Sequence, residues 1–180
     1  MTGLPVTPGQ TIGPFYGYAL PYDGDSELVP PSHPQAIRLH GTVRDGSGAP
    51  VPDALLEIWQ ADAEGNVVQA QGSLKRDGYT FTGWGRAATD DNGSYSFTTI
   101  IPGAGPGGVP FIAMTVFARG LLDRLFTRVY LPDPGPDAWL TSVPEDRRST
   151  LVAQRDRHGL VFDVVLQGKG ETVFLSYRGP

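Results

Sequence analysis

From Ile37 onward, apolar residues recur at every second position through much of this chain. Ile37, Leu39, Gly41 and Val43 alternate with Arg38, His40, Thr42 and Arg44, the period of a strand with one buried face. Asp45-Gly46-Ser47-Gly48 is a turn, and Ala54–Gln60 reads as the next strand. Gly85–Thr89 and Tyr95–Ile100 flank Asp90-Asp91-Asn92-Gly93, where Asn-Gly between apolar runs predicts a hairpin. Val109–Phe117 is almost wholly apolar, which predicts a strand buried on both faces. Leu125–Leu131, Gly159–Gln167 and Glu171–Tyr177 complete the strands. Ser142 as an N-cap, with Pro144, Glu145 and Asp146 in the first turn, predicts one short helix to about Ala153. Val67–Trp84 is irregular, with little beyond Tyr79 and Phe81 to anchor it. Seven or eight short strands with one helix predict an all-β sandwich.

Residues 1–36 break this rhythm. Pro5, Pro8, Pro14, Pro21, Pro30, Pro31 and Pro34 interrupt any helix, yet Ile12, Phe15, Tyr16, Tyr18 and Tyr22 are too apolar for free disorder. An N-terminal arm over 1–36, lying on its own domain or on a partner, is expected ahead of a sandwich over 37–180. Ile101–Gly120 is the second departure: a Gly/Pro loop feeds the apolar run, and the run delivers Arg119 at its far end.

Composition fits many turns, with 24 Gly and 17 Pro in 180 residues. Cysteine is absent, which excludes disulfides and thiolate metal sites or nucleophiles. The formal charge of −5 leaves no footprint for nucleic acid or an anionic membrane. Met1–Gln10 has neither a basic nor an apolar leader region, and a cytoplasmic protein is expected.

Local motifs do not assemble a site. His33, His40 and His158 are too far apart in sequence for a histidine-pair motif and read as surface residues. Asp90–Gly93 lacks the bidentate Glu of a calcium loop, and Gly103–Gly108 is not followed by a helix that would make it a phosphate cradle. Arg147-Arg148 reads as a solvated helix face. Arg119 and Arg128 each follow an apolar or β-branched run, and two readings stand for them. Each is a strand-end arginine reaching water or a carboxylate, or part of a site.

Several segments taken together resemble a known family. They are Thr7–Phe15 (TPGQTIGPF), Leu56–Asp62 (LEIWQAD) with Gly65, Val116–Gly120 (VFARG), and Thr127–Tyr130 (TRVY). Pro144-Glu145-x-Arg147-Arg148 and Gln167-Gly168-x-Gly170-Glu171-Thr172-Val173-Phe174 complete the set. In this order they are similar to the intradiol ring-cleavage dioxygenases, on the alpha-chain side of the two-chain branch that cleaves protocatechuate. The strands alone would equally suit a transthyretin-like binding or adhesion module, which would leave the aromatic arm and Phe-Ala-Arg-Gly unexplained.

The resemblance implies a prealbumin-like (transthyretin-like) sandwich and an O2-dependent cleavage of protocatechuate to β-carboxy-cis,cis-muconate. It also implies a beta-chain partner that holds Fe(III) through two tyrosines and two histidines, in a higher alpha–beta oligomer. The four ligand positions fall here at about Ser73, about Gly105, Phe111 and Ala113, so this chain is expected to bind no metal. Thr11, Gly13, Pro14, Phe15 and Arg119 match the alpha-chain residues that border the partner's site. Many family members carry Tyr where this chain has Phe15. Tyr16 follows it, and adjacent residues of an extended arm point to opposite sides.

Overall fold

The alternation of β1 (Ile37–Arg44) buries Leu39, Gly41 and Val43, and most later long strands keep that period. The computed structural model describes residues 15–68, 76–106 and 108–176. The further strands are β2 (Leu55–Gln60), β3 (Trp84–Ala88), β4 (Ser94–Thr99), β5 (Phe111–Phe117) and β6 (Leu125–Tyr130). Short β7 (Gln154–Asp156), β8 (Gly159–Val161) and β9 (Val164–Val165) follow. One sheet runs β4-β1-β8-β7, with β9 also on β1; the other runs β3-β2-β5-β6. Leu39, Val43, Phe97, Leu160 and Val164 of the first sheet share one buried cluster with Leu56, Ile58, Ile112, Met114, Val116 and Val129 of the second. Each such side chain contributes about 1.5–3 kcal/mol through burial. The chain is therefore all-β, built as two facing sheets.

The Asn-Gly turn is not a hairpin. β3 belongs to one sheet and β4 to the other, so Asp90–Gly93 carries the chain across the sandwich. The turn chemistry is as expected, with Asp90 Oδ1 accepting from the Asn92 and Ser94 amides and Gly93 at φ 71°. What moves β4 away is its ladder with β1, six residue pairs from Ile37↔Thr99 to Thr42↔Ser94. Nor is β5 buried on both faces: Ile112, Met114 and Val116 point inward, and the residues between them are half-buried on the outer face.

The expected helix forms only from Glu145, and a further helix precedes it. Asp137, not Ser142, caps α2 (Ala138–Ser142), its side chain accepting from the Leu140 amide at 2.8 Å. Val143 is extended before Pro144, as steric clash with a proline ring demands, and α3 (Glu145–Arg148) starts afresh. Arg147 and Arg148 are not a solvated face. Arg147 donates to the Glu171 carbonyl, and Arg148 to those of Val143 and Thr141.

The run from Gly159 splits at Phe162-Asp163. Asp163 Oδ1 takes the Thr42 amide that a ladder carbonyl would accept, while the Phe162 carbonyl receives the Tyr95 hydroxyl. Gly41 faces that carbonyl and has no room for a Cβ. Residues 171–176 form no strand, although the Thr172 and Leu175 amides bond Val165 and Phe126 carbonyls. Strand β7, not expected from the sequence, pairs antiparallel with β8.

Tyr79 is exposed and anchors nothing; Arg76 ties the irregular segment down through the Gly24, Asp25 and Trp84 carbonyls. Asp25–Leu28 closes the side of the sandwich where β3 and β4 are both edges. The Asp25 carbonyl accepts from Arg86 of β3, and the Leu28 amide bonds Thr98 of β4. A covered edge does not recruit stray strands. Near the start of the described chain, α1 (Tyr16–Ala19) is a single helical turn rather than an extended arm.

Candidate functional site

Strand β5 has chemistry to examine at both ends. At its start, Phe111 lies opposite Tyr130 and Ala113 opposite Arg128, so the four share the outer face. The Arg128 guanidinium lies 4.4 Å from the Phe111 ring centroid and 5.0 Å from that of Trp139 on α2. Tyr130 packs on both rings, nearly parallel to Trp139 at 6.2 Å. Its hydroxyl donates to Asp137 Oδ1 at 2.8 Å and accepts from Arg128 Nη1 at 3.2 Å. Burial, more than any neighbour, pushes the Tyr130 hydroxyl up to about 12. Burial also raises Asp137, but the Leu140 amide, the Tyr130 hydroxyl and Arg128 outweigh it and hold that carboxyl below its usual range.

These residues do not fit a ferric ion. Phe111, Ala113 and Gly105 offer no donor atom, where such a site needs anionic oxygen and imidazole. A fixed guanidinium beside them repels a further cation. Among the described residues no group of three or more His, Asp or Glu could hold a metal. Ser73 lies outside the described residues.

At the other end, Ala118 is buried and the chain turns at Arg119-Gly120, with Gly120 at φ 79°. Arg119 Nε and Nη2 both reach Asp53 Oδ2, at 2.7 and 2.6 Å. The arginine side chain is 62% exposed and the aspartate 13%. Register explains the meeting: Leu55 pairs Phe117, and two further steps along the same antiparallel line bring Asp53 to Arg119. Sequence reasoning missed Asp53 because 66 residues separate the pair.

Tyr16 stands behind this pair. Its ring packs on Phe117 at 6.2 Å, and the residue is buried. Burial, with Asp53 adding and Arg119 opposing, raises its hydroxyl to about 12. Among the described residues, the Tyr16 hydroxyl and Asp53 Oδ1 are both buried with no hydrogen-bond partner. Phe15 is 73% exposed while Tyr16 is buried, the two standing at the start of a helical turn rather than in the expected extended arm. A cleft of about 420 Å³ opens beside Arg119, between Pro50–Pro52, Leu121 and Leu166. Thr11, Gly13 and Pro14 lie outside the described residues.

The histidines stay apart from both ends of β5. His158 is exposed, as expected, and lies edge-on to half-buried His40, whose Nε2 is 3.1 Å from Asp156 Oδ2. Among the described residues no helix is long and apolar enough to cross a membrane.

The family model described as Dioxygenase matches residues 12–110. The protocatechuate 3,4-dioxygenase alpha chain of Burkholderia cepacia is 38% identical over 198 aligned residues, covering 98% of this chain and 100% of that one. The beta chain from the same organism is 33% identical, covering 93% of this chain and 78% of that one. Among solved structures, the dioxygenase domain of a carbohydrate-binding fusion protein from Streptomyces sp. SirexAA-E superposes with a TM-score of 0.57. It is 27% identical and covers 79% of this chain and 87% of that one. Nothing in these comparisons supports a binding or adhesion module. The chain belongs to the intradiol ring-cleaving dioxygenase family and stands with its alpha chains.

Proposed function

We propose that this chain is the non-metal subunit of an enzyme that cleaves protocatechuate with O2 between its two hydroxyl-bearing carbons. Both oxygen atoms enter the product, β-carboxy-cis,cis-muconate. Fe(III) belongs to a homologous beta chain in this reading, held there by two tyrosines and two histidines. The observation that carries it is the pairing of full-length alpha-chain likeness with ligand positions closed by Phe111, Ala113 and Arg128.

This chain's part is wall and charge. Residues 1–36 act as an arm whose Thr11, Gly13, Pro14 and Phe15 border the partner's site, and 37–180 form the prealbumin-like sandwich. Arg119 supplies positive charge toward the substrate carboxylate, raising its local concentration and orienting it. Exposed Phe15 is the kind of aromatic that an interface covers. Alpha–beta pairs assemble further, in the cytoplasm.

The test is purification of the chain alone and with the beta chain. The complex should be coloured, iron-loaded and active, and this chain alone colourless and inactive. An active, iron-containing preparation of this chain alone would sink the reading. Arg119→Ala in the complex should raise KM for protocatechuate about tenfold without preventing assembly.

A further inference from the structure

Arg119 is held in an unusual way. A carboxylate that meets a guanidinium for stability alone commonly does so as a fork, two oxygens on two N–H groups. Here Nε and Nη2 converge on the single atom Asp53 Oδ2, at 2.7 and 2.6 Å. The other oxygen, Oδ1, is buried with no partner among the described residues, and so is the Tyr16 hydroxyl next to the pair. A buried oxygen left without a partner pays for its lost hydration with nothing in return. The arrangement therefore gives up stability, and such groups call for another explanation.

What it gains is a fixed orientation. Asp53 sits in the β1–β2 connection, directly ahead of Ala54, whose amide is bonded by Thr89 Oγ1. It is 13% exposed, while Arg119 is 62% exposed on a turn that ends in a positive-φ glycine. A long exposed side chain on such a turn has many rotamers. Side-on engagement by a nearly buried carboxylate selects one, and turns the Nη1 edge of the guanidinium away from Asp53.

We propose that Asp53 is the positioning residue for Arg119, fixing the plane of its guanidinium so that it meets the carboxylate of an aromatic substrate in one orientation. This rests on the reading of Arg119 given under Proposed function. Asp53 touches no substrate and acts only through Arg119.

The experiment uses the alpha–beta complex with Asp53→Asn, Asp53→Glu, Arg119→Ala and the double variant Asp53→Asn/Arg119→Ala. Each is assayed with protocatechuate and with catechol, which lacks the carboxylate. Asp53→Asn keeps the shape but weakens the charge-assisted bonds, and should raise KM for protocatechuate about 3- to 10-fold with kcat within about twofold. KM for catechol should not move. Asp53→Glu should recover at least half of the loss, and the double variant should match Arg119→Ala alone.

If Arg119→Ala raises KM and Asp53→Asn does not, the positioning role is overturned while the reading of Arg119 survives. If Arg119→Ala itself changes nothing, that reading fails first. Equal losses on catechol, additive losses in the double variant, or failure of Asp53→Asn to assemble where Arg119→Ala assembles would each assign Asp53 to the fold and overturn the proposal.

Discussion

Arg128 gives the sharpest stability prediction. Its guanidinium is flanked by the Phe111 and Trp139 rings at 4.4 and 5.0 Å and donates to the Tyr130 hydroxyl at 3.2 Å. With its side chain 27% exposed, each ring contact is intermediate between the surface and desolvated cases, about 1 kcal/mol. The hydrogen bond adds about 0.5–1 kcal/mol. Arg128→Ala should therefore cost about 2–3 kcal/mol, or about 5–10 °C in Tm for a chain of this length. Urea denaturation of the full chain at fixed protomer concentration measures it. Arg128→Lys retains charge but cannot lie flat between two rings, and should lose at least half as much. A double-mutant cycle with Trp139→Ala should give a coupling of about 1 kcal/mol. A loss under about 0.5 kcal/mol for Arg128→Ala, or a wild-type-like Arg128→Lys, would refute the stacking argument.

Two further outcomes follow from buried groups. Gly41→Ala forces a Cβ into the Phe162 carbonyl and displaces the acceptor of the Tyr95 hydroxyl, so Tm should fall by more than about 6 °C; a shift under 2 °C would show that the strand yields freely. Burial pushes the Tyr16 and Tyr130 hydroxyls up to about 12 in the folded chain, against about 10 for an unburied tyrosine, and raises buried Tyr95 as well. Because the folded values are the higher ones, stability is intact below about pH 10 and drains as pH rises toward 12. Denaturation midpoints at pH 9, 10 and 11 should fall progressively, and Tyr130→Phe should make that decline shallower.

The period-two pattern placed most long strands within a residue or two, because a half-buried strand writes its orientation into every second side chain. Pairing was less legible. Asp90–Gly93 has the local chemistry of a hairpin, yet the β1–β4 ladder draws the second strand into the opposite sheet. No local signal records that choice. Strand β7 was hidden for the opposite reason: Gln154-Arg155-Asp156 is exposed throughout and has no apolar period. The helix expected from Ser142 begins at Glu145, with Glu145 and Asp146 in its first turn as anticipated, and the separate helix capped by Asp137 was not read from the sequence. At the candidate site, Arg119 could be picked out by its place after an apolar run. Asp53 could not, because only the β2–β5 register brings the two together.

The same register also decides whose chemistry Arg119 can serve. Six residue steps separate Phe111 from Phe117, and at about 3.3 Å per step the strand spans about 20 Å. Arg119 lies beyond the far end, drawn sideways onto Asp53. An arginine side chain is much shorter than that span, so Arg119 does not reach the Phe111–Ala113 positions of its own chain. In the near half of the strand those positions are filled by rings and a guanidinium. A homo-oligomer would not solve the problem, because every copy would bring Arg119 to a site without metal ligands. The role proposed for Arg119 therefore calls for a second chain that shares the fold and keeps the ligands. Under the proposed function the two ends of β5 would divide the labour between two homologous chains, one end closed by Arg128 and the other holding Arg119 against Asp53.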